Sequence, residues 1–258
     1  MSRILYKYID IKGGKLMLGN KTLQYTNATQ LNDPFDCHPK LLDFSNIPDE
    51  MTNGWIPKEW LQHKEENRAL NRRNDTWLTS FSKRYDSILM WAHYCYNHKG
   101  ICVGLNQDKV LACVPPMFGT ISSEPQVVEV NYADILERPD PSKCSWNYQF
   151  LTKAKEWEYE QEVRLVMDKP HPSYAAFTPE QAKEADENKS KVWDWKEIHH
   201  YQPLKGDCFE SIYFGINIDP KEKEKIINFA LKEINPDIKL YQMRLDEDAL
   251  RLKAEEIK

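Results

Sequence analysis

No stretch of the 258-residue chain approaches the ~18 consecutive apolar residues of a membrane-spanning helix. The opening residues, MSRILYKYIDIKGGKL, lack the apolar core of a secretory leader. Both absences lead to the expectation of a soluble, cytoplasmic protein without a membrane partner. Basic charge does not dominate either: 35 Lys and Arg stand against 40 Asp and Glu, a formal net charge of −5. That balance excludes a broad, sequence-independent nucleic-acid surface but leaves room for a local basic patch. None of the six cysteines forms a C-x-x-C pair, so free buried thiols are expected rather than a zinc site. Neither G-x-G-x-x-G nor G-x-x-x-x-G-K-[ST] occurs, which removes the ordinary dinucleotide and phosphate loops. Repeats, low-complexity tracts and an interdomain linker are also missing. A single domain over residues 1–258 is expected, with polar helical insertions near 53–75 and 169–200.

What is present is a mixture of strand and helix patterns. ILYKYIDI alternates and reads as a first strand, turned by KGGK into a second, KTLQYTN. Asn32-Asp33-Pro34 predicts a stiff turn, because the residue before proline avoids the helical region and Asp bonds its own backbone. PKEWLQHKEENRALNRRN predicts a surface helix, TWLTSFS a strand, and SILMWAHYCYNH a helix capped by Asp86 and leaving at Lys99-Gly100. GICVGL, PQVVEVNYA, YEQEVRLVM, ESIYFGINI and a closing IKLYQMRL predict strands. CSWNYQFLTKAKEW predicts a helix, as does DPKEKEKIINFALKEIN, the latter capped by Asp219. Strands and helices do not alternate regularly. An α+β fold with a mainly antiparallel sheet flanked by helices follows, not a doubly wound parallel sheet.

Three stretches concentrate chemistry. In Tyr6-Lys7-Tyr8, period two puts the tyrosines on one face and Lys7 on the other. Lys7 is either a solvated lysine between packing tyrosines or a cation in a cleft. Ser80 and Ser82 share a face of their strand. They either finish the strand and help cap the next helix, or they orient a sugar or carboxylate. In Trp157 to Arg164, alternation turns Glu158, Glu160, Glu162 and Arg164 one way and Tyr159, Gln161 and Val163 the other. Neighbouring carboxylates on one face need solvent or a cation, so this is a solvated face or a cleft where Arg164 holds one carboxylate and another meets a ligand. In the helix after Ser82, burial is expected for Leu89, Met90 and Trp91, and a hydrogen-bond partner for His93 and Tyr94. Asn32 to Phe35 is expected to border the same cleft, with Phe35 stacking on a flat ring.

The runs LYKY, TNATQLNDPFDC, SFSKRYDSILMWAHYCYNHKGICVG, WEYEQEVRLV and IYFGINI resemble the bacterial family catalogued as domain of unknown function 2971, over roughly residues 4–243. A second resemblance concerns the order of motifs. A basic residue on an early strand, Ser-x-Ser on a later one and then Glu-x-Glu is similar to ADP-ribosyltransferases of the Arg–Ser–Glu type. That resemblance implies a central split sheet and NAD as substrate, with no metal. It assigns Glu162 to hold the nicotinamide ribose and stabilise positive charge developing there. Glu160 would orient an acceptor, which is a protein or a nucleic acid. It implies Lys7, Ser80 and Ser82 in a nucleotide site, to which the reading of the residues themselves adds Tyr8, Asp33, Phe35 and Arg164. The implied activity is NAD-dependent ADP-ribosyl transfer or NAD hydrolysis, in a bacterial anti-phage defence or toxin effector. Lys7 departs from the pattern, since a lysine is a point charge without the bidentate fork of arginine.

Two other classes compete. A non-catalytic ligand-sensing or partner-binding module is marked by a cleft whose glutamates are neutralised by Arg164 and lysines. A metal-dependent nuclease draws on a carboxylate cluster such as Asp33, Asp36 and Glu160.

Overall fold

A computed structural model of the chain describes residues 3–114, 126–137, 139–140, 145–168 and 197–257. Most of the expected 169–200 insertion, residues 169–196, lies outside the described residues. Ten strands form one mixed sheet, mostly antiparallel, with helices on both faces. The class is α+β.

β1 (Ile4–Ile9) pairs antiparallel with β4 (Ile101–Asn106), and β4 with β10 (Phe209–Phe214). β10 runs parallel to β11 (Lys239–Leu245), and β12 (Leu252–Glu256) follows antiparallel to it, so IKLYQMRL is not the last strand. The other half of the sheet is organised by β3 (Thr76–Ser82). Along its whole length β3 pairs with β8 (Glu162–Asp168), which carries the short β5 (Val127–Glu129) beyond it. The opposite edge of β3 is shared. β1 meets it at Tyr6↔Ser82, and β2 (Thr22–Asn27) meets it at Leu78 and Trp77. The edge strand β9 (His199–Pro203) lies outside β2. The sheet therefore forks at β3, and Thr79 to Phe81 face the gap between β1 and β2.

Alternation divides the core between the two faces. On one side Leu5, Phe81, Val103, Leu105, Val163 and Leu165 pack with Met17 and Leu18 of α1 (Ile11–Asn20) and Ile226 of α7 (Pro220–Phe229). On the other side Tyr8, Cys102, Tyr213 and Met243 pack under Met90 and Trp91 of α4 (Ile88–Tyr94). Asp219 caps α7 as the sequence predicts, its carboxylate accepting from the amides of Lys221 and Glu222.

Several expectations are corrected. KGGK does not turn the chain but lies inside α1, which Asp10 caps by accepting from the Gly13 amide at 2.6 Å. The paired glycines serve close packing: a Cβ on Gly14 would stand 2.7 Å from Ile101, and one on Gly13 2.8 Å from Ile9. Ser87, not Asp86, caps α4, and Asp86 instead pairs with Arg84. After α4 the chain passes through three consecutive left-handed residues, Tyr96, Asn97 and His98 (φ 48°, 55° and 64°), before Gly100. Leu89 is 46 % exposed rather than buried, because α4 turns Met90 and Trp91 to the sheet. His93, expected to find a hydrogen-bond partner, is exposed and meets Tyr159 ring to ring.

The predicted helix over CSWNYQFLTKAKEW stops early. α6 (Ser145–Leu151) gives way to a two-strand parallel pair, β6 (Asn131–Ala133) with β7 (Thr152–Ala154), and then to a 3-10 turn over Lys155–Glu160. Polar excursions occupy α2 (Asp49–Thr52) and α3 (Lys58–Asn74), and α5 (Gln107–Leu111) follows β4.

Trp91 is fully buried, meets Tyr8 edge-on at 5.4 Å between centroids and donates to the Tyr85 carbonyl at 2.8 Å. Trp91→Ala is expected to cost about 3–5 kcal/mol, the scale for a large aromatic removed from a core. Leu89→Ala, on the exposed side of the same helix, should stay within about 0.5 kcal/mol of wild type. Chemical denaturation of the two variants measures the difference, and equal losses would contradict this placement of α4.

Candidate functional site

The fork places a cleft against β1, β3 and the start of β8. The empty space in it measures about 530 Å³, open solvent included. Lys7, Tyr8, Ser80, Ser82, Glu160 and Glu162, all singled out from the sequence, line it. Asn32 borders it as well, so the Asn32–Phe35 turn does reach the cleft. The rest of that turn points elsewhere. Asp33 is buried and accepts from the Phe35 amide at 2.9 Å, the local Asx bond that the sequence predicts. Phe35 is 58 % exposed and outside the lining, so no ring of the cleft comes from it.

Arg164 is not in the lining either. Its side chain is fully buried behind Glu162, and every guanidinium N–H has an acceptor. Nη1 and Nη2 grip both Asp36 oxygens at 2.8 and 2.7 Å. Nε and Nη2 reach both Glu162 oxygens at 2.6 and 3.1 Å, and Nη1 also donates to the Phe150 carbonyl at 2.8 Å. Five donors in a planar fork are thereby all satisfied.

The chain of charges continues through Lys153. Its ammonium donates to Glu160 at 2.5 Å and to Glu162 at 3.2 Å, and lies 4.6 Å from the centre of the Trp157 ring. Tyr94 Oη closes the chain, donating to the other Glu160 oxygen at 2.6 Å. The order is Asp36, Arg164, Glu162, Lys153, Glu160, Tyr94. Glu160 and Glu162 are each 3 % exposed, which removes the solvated-face account of this segment.

Their environments separate the two carboxyls. Burial would raise Glu162, but Arg164 and then Lys153 outweigh it and hold the group at about 2. Ser80 adds a hydrogen bond in the same direction. Glu160 is raised, chiefly by burial and against the pull of Lys153, with Glu162 adding repulsion. Lys153 is raised because the two glutamates outweigh its burial. Lys7 behaves oppositely. Burial lowers it to about 8, with only Glu162 opposing. Its ammonium sits at the fork and donates to the Ser80 carbonyl at 2.8 Å and Thr79 Oγ1 at 3.1 Å. The Ser80 carbonyl lies where β1 and β2 part, and Lys7 supplies its hydrogen bond.

Two hydroxyls are partly committed to structure. Ser82 Oγ accepts from the Arg84 amide at 3.2 Å, and Tyr8 Oη donates to the Arg84 carbonyl at 3.1 Å. Glu160 does not reach the cleft by strand alternation. It ends the 3-10 turn, and Gln161 takes a left-handed conformation (φ 44°) before β8 begins at Glu162. Sequence reasoning missed Lys153 altogether. The signal was the charge count: two glutamates and Asp36 against Arg164 leave two acids without a cation. Of the carboxylates a nuclease would use, Asp36 is held by Arg164 and Glu160 by Lys153.

A family model described as protein of unknown function (DUF2971) matches residues 90–165. The matched segment contains Tyr94, Lys153, Glu160, Glu162 and Arg164, and stops short of Lys7, Asp36, Ser80 and Ser82. No curated protein and no solved structure matches the chain.

Lys153→Met is expected to destabilise the fold by about 3–5 kcal/mol at pH 7, because it strands buried carboxylates. Without Lys153 the folded-state pKa of Glu160 rises further above its unfolded value. A raised carboxyl contributes stability fully below the unfolded pKa and loses it as pH rises. The deficit of the variant should therefore shrink between pH 7 and pH 5, a range in which Glu162 of the wild type stays ionised. Denaturant titrations across that range measure it, and a small or pH-independent deficit would contradict the network.

Proposed function

We propose that the cleft binds a nucleotide of the NAD class and acts on its N-glycosidic bond, as an ADP-ribosyltransferase or an NAD glycohydrolase. One observation carries this reading. Lys7, Ser80 with Ser82, and Glu162 come from three neighbouring strands, β1, β3 and β8, in the order that the Arg–Ser–Glu pattern requires. In the register Ser82 stands between Tyr6 and Glu162 and Ser80 opposite Arg164, while Lys7 leaves β1 on the other face and brings its ammonium to the fork at the Ser80 carbonyl. Tyr6, Tyr8 and Tyr94 offer ring surfaces in the lining for a flat base. Lys7 faces an anionic group, and Glu162 keeps the negative charge that an electron-poor ribose requires.

The residues fit the substrate with one condition. Both Glu162 oxygens already accept from cations, so a ribose hydroxyl has to share Glu162 with Arg164 and Lys153 or displace one of their contacts. The same observation favours a second reading. With both glutamates held by cations, the cleft resembles that of a non-catalytic sensing module that binds a nucleotide and turns nothing over.

NAD labelled in the nicotinamide ring separates the two. The first reading predicts saturable binding and release of free nicotinamide. It also predicts that Glu162→Gln, checked for folding by circular dichroism, loses release at least tenfold more than it loses binding. Binding without release selects the sensing module. Neither binding nor release at millimolar NAD, by a folded protein, rejects the nucleotide cleft.

A further inference from the structure

The cleft holds two lysines in different electrostatic settings. Lys153 is clamped by two carboxylates, which demand an ammonium and leave no lone pair. Lys7 makes no ion pair among the described residues. Its two acceptors are neutral oxygens, the Ser80 carbonyl and Thr79 Oγ1. A neutral amine has two N–H bonds, and these two acceptors satisfy both. The remaining tetrahedral position then carries the nitrogen lone pair, on a side chain that lines the cleft. The charged groups that share the cleft are Asp36, Glu160, Glu162 and Lys153, and only Glu162 opposes loss of the Lys7 proton.

We propose that Lys7 is a nucleophilic lysine that captures aldehydes bearing a flat ring, as a Schiff base within the cleft. Tyr6, Tyr8, Tyr94 and Met90 of the lining provide apolar surfaces for the ring. The lone pair attacks the carbonyl carbon, forming the C–N bond as the carbonyl oxygen takes a proton. The carbinolamine then loses water while nitrogen loses its second proton and the C=N bond forms. One amine and one aldehyde give one imine and one water. Burial supports the nucleophile. A lysine lowered to about 8 is roughly one-tenth free amine at pH 7, against roughly one part in 3,000 for an ordinary lysine.

The inference stands on Lys7 and not on the nucleotide reading. The probe is benzaldehyde with sodium cyanoborohydride, which reduces the imine to a stable benzylamine that peptide mapping can place. At pH 7 the folded wild-type chain is expected to be modified at Lys7 at least tenfold faster than at any other lysine. The rate at Lys7 should level off just above pH 8, while surface lysines continue to accelerate. In urea the preference should vanish, which ties it to the folded cleft. Labelling at Lys7 no faster than at surface lysines overturns the proposal, as does a Lys7 rate still rising at pH 10. NAD added before the aldehyde separates the two readings: protection of Lys7 bears on the nucleotide site alone, and selective labelling upholds the lysine whether or not NAD slows it.

Discussion

Arg164 is the interaction on which the rest of the site depends. It is fully buried, and its five donors join Asp36 from the loop after β2, Glu162 at the start of β8 and the Phe150 carbonyl of α6. The Asp36 loop lies more than a hundred residues before the other two segments in sequence, and the three have no common strand pairing. A buried guanidinium is tolerated only when its charge is matched and its donors are filled. The loop carrying Asp36, the end of α6 and the first residues of β8 are thus held in one arrangement. Lys153 then continues the alternation of charge to Glu160 and Tyr94. The geometry of the cleft floor is a consequence of satisfying that one cation.

The fork in the sheet provides the opposite wall. β3 cannot pair with β1 and β2 over its full length, and the carbonyl of Ser80 is left at the point of divergence. Lys7 satisfies it from β1. The two cationic sides of the cleft therefore differ in kind. Near Arg164 and Lys153 the cations are neutralised by carboxylates, and near Lys7 the nitrogen meets only neutral oxygens.

Much of the strand content was legible in the sequence, because β3, β4 and β10 carry dense β-formers between clear breaks. Period two also placed Ser80 with Ser82 and Glu162 with Arg164 on shared faces. The helix α1 was not legible, since two adjacent glycines signal a turn and their packing against Ile9 and Ile101 is a tertiary fact. Glu160 reached the cleft for a reason that alternation does not describe, the left-handed Gln161 that separates it from β8. Lys153 was hidden for a similar reason. Its position depends on the short parallel pairing of β6 with β7, a contact between two three-residue segments that has no local sequence signature. The exposure of Phe35 shows the limit of a chemical motif read without its orientation: the turn was predicted correctly, and the direction of its aromatic side chain was not.

The account rests on Glu160 and Glu162 being buried partners of shared cations, and carbon-13 NMR of labelled glutamate carboxyls measures that directly. A pH titration should show one buried glutamate, Glu162, ionised down to about 2 and another, Glu160, protonating above the usual carboxylate range. Substituting each by Gln assigns the two curves. Two ordinary titrations near the unperturbed value of about 4.3, in a chain still folded at that pH, would mean that both side chains face water and that the Arg164–Lys153 network does not exist.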